Sequence, residues 1–174
     1  MTNLHFTPFP LLTTFRFILR PLTPDDAPYI FVLRTDDSVN QFLDRPKARS
    51  IQDVHEFIKK IADGVSKDQS ILWAIEHKGI AGLAGTICLW NISWEDARAE
   101  IGYELLPQRQ GKGIMQEVMP VVLEYGFEVM ELQLIVAELT VKNVRSVRLL
   151  EKHGFVRDAA VAESKGLAFY RLEK

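Results

Sequence analysis

Cysteine occurs once in these 174 residues, at Cys88. One thiol excludes an intrachain disulfide framework and fits a reducing, cytoplasmic setting. Long apolar runs are also missing: no segment reaches the roughly 18 uninterrupted apolar residues of a membrane helix, so no membrane partner is expected. Residues Met1 to Thr14 carry no Lys or Arg ahead of an apolar stretch, and Pro8 and Pro10 interrupt what apolar content there is, which argues against a secretory signal. An excess of either charge is absent. With 21 Lys and Arg against 23 Asp and Glu, the formal charge is -2, so no general field attracts nucleic acid or an anionic lipid surface, and any basic site must be local. His5, His55, His77 and His153 lack metal-ligand spacing, and no metal is expected. No repeat and no Gly- or Pro-rich linker divides the chain, and a hydrophobic content of 47% is enough for one core, so residues 1–174 are expected to form a single domain.

What is present is an alternation of short strands and amphipathic helices. Phe15 to Arg20 is apolar and aromatic and stops at Pro21, as a first strand would. Thr23 before Pro24-Asp25-Asp26 combines an N-cap, a Pro at the first helical position and carboxylates at the positive end of the dipole, predicting a helix from Pro24 to about Arg34. Ile51 to Asp63 places Val54, Phe57, Ile58 and Ile61 on one helical face, with Ser50 as cap and Gly64 as stop. Ile71 to Ile75, Gly82 to Trp90 and Ala97 to Leu106 then read as an antiparallel meander. Gly113 to Met130 is helical with a bend expected at Pro120. Leu132 to Thr140 is a strand, Asn143 to His153 a helix stopped by His153-Gly154, and Phe155 onward a strand again. Four helices interleaved with these strands give a mixed α/β fold of the α+β type.

The segment Pro107-Gln108-Arg109-Gln110-Gly111-Lys112-Gly113-Ile114 joins a strand to a helix. Two glycines one residue apart let the backbone turn sharply and aim several N–H groups outward at a helix N-terminus, an anion-receptive arrangement to which Arg109 and Lys112 add charge. A nucleotide-hydrolysing P-loop is excluded because Gly113, and no Ser or Thr, follows Lys112. A dinucleotide fingerprint is excluded because Gln116 stands where a third small residue is wanted. By itself the turn is as compatible with a structural role as with phosphate binding.

Here the chain resembles the GNAT acetyltransferase superfamily, whose signature of Gln or Arg, two residues, Gly, one residue, then Gly or Ala is met by Gln108, Gly111 and Gly113. FILRPLTPDDAPYIFVLR (Phe17 to Arg34), AEIGYELL (Ala99 to Leu106) and NVRSVRLLEKHGF (Asn143 to Phe155) are similar to the branch containing the ribosomal-protein N-terminal (alanine/serine) acetyltransferases. The resemblance implies a central, mostly antiparallel sheet splayed between its fourth and fifth strands, and acetyl-coenzyme A as co-substrate. It places the coenzyme A pyrophosphate on the amides of Gln110, Gly111, Lys112, Gly113 and Ile114, the thioester carbonyl near the N–H of Leu105, and further cofactor contacts at Asn143 and Arg148. It implies Glu100 as general base, with Glu104 second on the same strand face, and Ser146 near the sulfur as proton donor.

The residues alone leave competing readings. Glu100 and Glu104 are equally strand carboxylates in solvent, and Asn143 is equally an N-cap. Arg145, Arg148 and Lys152 suit either phosphates or a solvated helix face. Tyr170 is an alternative donor or a core aromatic, and Cys88 is most simply a small buried hydrophobe. Trp90, Trp94, Phe42 and Tyr29 are candidates for the wall of the acceptor cavity. The resulting expectation is transfer of acetyl to a primary amine, a protein or peptide N-terminus by resemblance. A polyamine or aminoglycoside acceptor and a non-catalytic coenzyme A sensor are the alternatives, and monomer and homodimer are both compatible with it.

Overall fold

Leu12–Thr13 (β1) turns back on Phe17–Arg20 (β2), where Phe17 and Leu19 point into the core and Ile18 and Arg20 alternate outward. The computed structural model describes residues 5–159 and 166–174. After β2 a 3₁₀ turn, Pro24–Asp26, leads into helix α1, Ala27–Thr35. Thr23 and Asp26 form a capping box, and the buried Asp26 carboxylate takes a two-pronged bond from Arg20, Nη1 and Nη2 each at 2.8 Å. A short helix α2, Asp37–Asn40, which the sequence reading does not foresee, is capped by Asp36.

Helix α3, Ile51–Ser66, starts at the expected Ser50 cap but runs through Gly64 instead of stopping there. The glycine answers a packing demand: a Cβ there would meet Ser70 Oγ at 2.7 Å, where the chain folds back into the sheet. The meander follows as β3 (Ile71–His77), β4 (Leu83–Ser93) and β5 (Arg98–Leu105). Its register sets Thr86 opposite Glu104, Cys88 opposite Gly102 and Trp90 opposite Glu100. A bulge between Trp90 and Ser93 carries Asn91 at φ 49°.

Helix α4, Ile114–Glu124, passes through Pro120 as α-helix. Pro120 and Gln116 both lie on the exposed face of the helix, where a missing backbone hydrogen bond costs least. The irregularity comes a turn later than expected, as a π turn at Tyr125–Val129. Then come β6 (Leu134–Thr140), helix α5 (Val144–Lys152), β7 (Val156–Arg157) and β8 (Leu167–Glu173). His153 is the C-cap of α5, its Nδ1 lying 2.8 Å from the Leu149 carbonyl oxygen, and Gly154 follows at φ 85°.

The eight strands form one sheet in the order β1-β2-β3-β4-β5-β6-β8-β7. Ile71, Trp73, Ile75, Ile87, Leu89 and Ile101 bury one face against Val118, Met119 and Val122 of α4. Ala74 and Leu83 join Ile30 and Leu33 of α1 and Val54 and Ile58 of α3 on the other. Each fully buried Val, Leu, Ile or Met among them contributes about 1.5–3 kcal/mol. Every described pairing is antiparallel except β5 with β6, which are parallel and matched only at Arg98↔Leu134, Ala99↔Ile135 and Glu100↔Val136. Beyond Glu100 the two strands part, while β5 stays paired with β4 to Leu105. These are the fourth and fifth strands of the sequence reading, and the expected splay lies between them.

Candidate active site

The splay opens a groove of about 930 Å³ bounded by the end of β5, the glycine loop, the start of α4, α5 and the segment after α2. One wall is backbone. Leu106 N–H donates to the Ala84 carbonyl on β4 at 3.0 Å, so the alternation of strand amides turns Leu105 N–H the other way, toward the gap left by β6. The carbonyl of Leu105 points there too, accepting from Gln110 Nε2 at 3.2 Å. Gln110 Oε1 in turn accepts from Arg145 Nη1 at 3.3 Å, tying the loop to α5.

At the far end of that wall a 3₁₀ turn, Pro107–Arg109, leads into the glycines, Gly111 at φ 72° and Gly113 at φ 71°. These are left-handed conformations that a side chain disfavours. Gly113 is the N-cap of α4, and the first-turn amides of that helix lack intrahelical acceptors. Gln110, Gly111, Gly113 and Ile114 line the groove. Of the two sets of basic residues that the sequence offers, Arg145, Arg148 and Lys152 of α5 line the groove, whereas Arg109 and Lys112 of the loop do not. Arg109 Nε is buried without a hydrogen-bond partner. Helix amides with flanking guanidinium groups suit phosphates, and an open strand edge suits an amide-bearing chain. The residues present therefore fit coenzyme A along the length of the groove.

Near the splay lie the candidate acid and base groups. Glu100 is the last β5 residue paired with β6 and is half-buried; it lies at the splay but is not among the residues that line the groove. Burial raises its carboxyl above the ordinary value, the Asn91 side-chain hydrogen bond opposes that rise, Glu138 adds to it and Arg98 subtracts. Glu104 lines the groove, but Arg45 Nη2 holds its Oε2 at 2.6 Å. Arg45 also binds Asn40 Oδ1 and the Leu33 carbonyl, so this ion pair fixes the segment after α2 against β5. Asn143 is the N-cap of α5, its Oδ1 accepting from Ser146 N–H at 3.2 Å, and both residues line the groove. The capping reading of Asn143 is thus met without removing it from the site.

Tyr103 was missed by the sequence reading. It lines the groove with its hydroxyl hydrogen-bonded to Ser146, and burial pushes it up to about 12 against the effect of that bond. Strand alternation from Leu105 to Tyr103 was the available signal. Tyr170 is buried in the core, 3.5 Å from Glu151 Oε1 and away from the groove. Burial, with Glu104 and Glu100 nearby, pushes the Cys88 thiol up to about 12. Of the four aromatic residues suspected of lining an acceptor cavity, Phe42 lines the groove and Trp90 stands across from Glu100. Trp94 instead packs on Phe6 and donates to the Asp68 carbonyl, and the Tyr29 ring covers Gly82. Among the described residues no group of three or more His, Cys, Asp or Glu is placed to hold a metal, and no helix is long and apolar enough to cross a membrane.

Comparison with known proteins agrees with this geometry. The family described as Acetyltransferase (GNAT) domain matches residues 16–156. An uncharacterized N-acetyltransferase of Bacillus subtilis, YoaA, is 34% identical over 155 residues, covering 89% of this chain and 88% of that protein. The spermidine N(1)-acetyltransferase of Vibrio cholerae is 23% identical over 145 residues, 83% of this chain and 82% of that protein. The solved structure of RimL, a ribosomal L7/L12 alpha-N-protein acetyltransferase in complex with coenzyme A, superposes with a TM-score of 0.82 at 18% identity, over 94% of this chain and 98% of its own. These relatives span several branches, so the resemblance to the ribosomal-protein branch narrows to the superfamily. The chain belongs to the GNAT acetyltransferase family and is an acetyl-coenzyme A-dependent enzyme that transfers acetyl to an amine.

Proposed function

We propose that the acceptor is a small polycationic amine of the polyamine class, and that Glu100 is the general base. The observation that carries the reading is the placement of Glu100 at the point where β5 and β6 part, with Glu138 two residues beyond its partner Val136 on the same face of β6. An amine nucleophile must be neutral to attack, and a carboxylate with a raised pKa is better matched to taking a proton near neutral pH. The second carboxylate favours an acceptor with further positive charge. Spermidine N(1)-acetyltransferases among the relatives support the same class.

Acetyl-coenzyme A supplies the activated acetyl group. Gln110, Gly111, Gly113 and Ile114, which line the groove, hold the pyrophosphate through their amides, with Asn143 and Arg148 beside it. Leu105 N–H donates to the carbonyl oxygen as negative charge develops there, a contribution of about 3 kcal/mol for such donors elsewhere. Glu100 accepts the amine proton, directly or through water. Ser146 passes a proton to the leaving sulfur and regains one through its hydrogen-bonded partner Tyr103 from solvent, so no alkoxide is left behind. Glu104, held by Arg45, is second to Glu100 as base because its carboxylate is already engaged.

A second reading, acceptance by a protein or peptide N-terminus, is favoured by the AEIGYELL resemblance and by the RimL-like fold. Incubating the protein with acetyl-coenzyme A and a panel of spermidine, spermine, an aminoglycoside and peptides beginning with Ala or Ser separates them. Thiol release and product mass should mark the polyamines as preferred. Turnover of the peptides alone would replace this reading with the second.

A further inference from the structure

The glycine loop is gripped from behind by a residue far from it in sequence. Arg16, in the turn between β1 and β2, reaches the loop with both terminal nitrogens: Nη1 and Nη2 each donate to the Lys112 carbonyl at 3.3 Å, and Nη2 to the Gly113 carbonyl at 3.4 Å. The guanidinium is itself held. Its Nε donates to Glu117 Oε2 at 2.6 Å, the Arg16 backbone N–H donates to Glu117 Oε1 at 2.7 Å, and Thr14 Oγ1 donates to the same oxygen at 2.7 Å. The guanidinium also lies over the Phe17 ring, 5.0 Å from its centroid.

In a planar trans peptide the C=O and the following N–H point to opposite sides. Fixing the Lys112 carbonyl toward Arg16 therefore turns Gly113 N–H away from Arg16, and fixing the Gly113 carbonyl does the same to Ile114 N–H. Gly113 and Ile114 line the groove. The Gly113 carbonyl is also held by the first bond of α4, from Glu117 N–H at 3.2 Å, so the plane that depends on Arg16 is the one between Lys112 and left-handed Gly113. Glu117, in the first turn of α4, also places a negative charge near an anion site, and Arg16 neutralises it.

We propose that Arg16 is a positioning residue for donor binding: from behind the loop it sets the amide of Gly113 to receive the pyrophosphate and braces the start of α4, with Glu117 and Thr14 as its anchor. This rests on the assignment of the loop to the coenzyme A pyrophosphate. The test compares acetyl-coenzyme A with S-acetylpantetheine, a thioester donor without pyrophosphate, in the wild type and in Arg16→Gln, Arg16→Lys and Glu117→Gln. Arg16→Gln should raise KM for acetyl-coenzyme A about tenfold or more, leave kcat within about twofold and leave KM for S-acetylpantetheine unchanged. Arg16→Lys keeps the charge but lacks the fork, and should recover only part of the loss. Glu117→Gln should weaken acetyl-coenzyme A binding by loosening Arg16. Equal losses with both donors, full rescue by Lys, or tighter donor binding in Glu117→Gln would overturn the proposal. A wild type that uses both donors equally well would instead overturn the loop assignment beneath it. Should Arg16→Gln not fold, Arg16→Lys and Glu117→Gln carry the same comparison.

Discussion

Replacing Glu100 by Gln keeps the size of the side chain and the hydrogen-bonding capacity toward Asn91 while removing the group that accepts the proton. Positioned general bases contribute about 10²–10⁴ in rate, or roughly 3–5 kcal/mol of barrier, and kcat/KM should fall by that factor with the donor KM little changed. The pH dependence tests the same point. Glu100 works ionised, so the rate falls as pH drops through its folded value. Burial raises that value above 4.5, so the acid limb of kcat/KM lies above an ordinary carboxylate. Glu138 raises it further and the Asn91 bond lowers it. Glu138→Gln should therefore move the limb to lower pH and Asn91→Ala to higher pH. Thiol release measured from about pH 5 to pH 9 reads all four proteins. A Glu100→Gln enzyme within about threefold of wild type, or one that keeps the same acid limb, would refute the role.

Three other outcomes follow from the geometry. Asp26→Ala leaves Arg20 with Glu76 as its remaining carboxylate and should cost about 3 kcal/mol, lowering Tm by about 6–12 °C in a chain of this length, measured by thermal unfolding. Burial alone would raise the Asp26 carboxyl, but Arg20 and Thr23 hold it below 3.8, so its stabilisation is present above that value and is lost as pH falls through the folded one. Gly113→Ala forces a side chain into φ 71° at about 1–2 kcal/mol. Among the described residues the added Cβ would meet only Arg16 Nη2, at 3.8 Å, so calorimetry should show weakened coenzyme A binding in a folded protein. Cys88→Ala should keep kcat within about twofold, and iodoacetamide should not inactivate the wild type at neutral pH, because burial pushes that thiol up to about 12.

Much of the architecture was legible in the sequence because it rests on local rules. Hydrophobic period sets α3 and the meander, Ser50 and Thr23 announce their helices, and Gly111 and Gly113 mark a turn that needs left-handed backbone. Local rules also explain the misses. Gly64 looked like a stop because glycine commonly ends helices, and only the position of Ser70 explains why it lies within one. Pro120 looked like a bend because its lost hydrogen bond is costly when buried, and here both Pro120 and Gln116 lie on the exposed face of α4.

By itself, then, the sequence determined the strand-loop-helix anion turn, the strand bearing Glu100 and Leu105, and the Asn143-Ser146 helix start. Tertiary structure decided how they become a site. Where β5 leaves β6, and hence which strand edge lies open, is a matter of pairing register that neither strand encodes alone. Arg45 meets Glu104 across 59 residues, and Arg16 meets Lys112 across 96, which no period of two or 3.6 residues can reveal. Arg109 and Lys112 share the glycine loop yet do not line the groove, which Arg145, Arg148 and Lys152 of α5 do. Chain proximity predicts which residues share a loop, and packing decides which side chains face the groove.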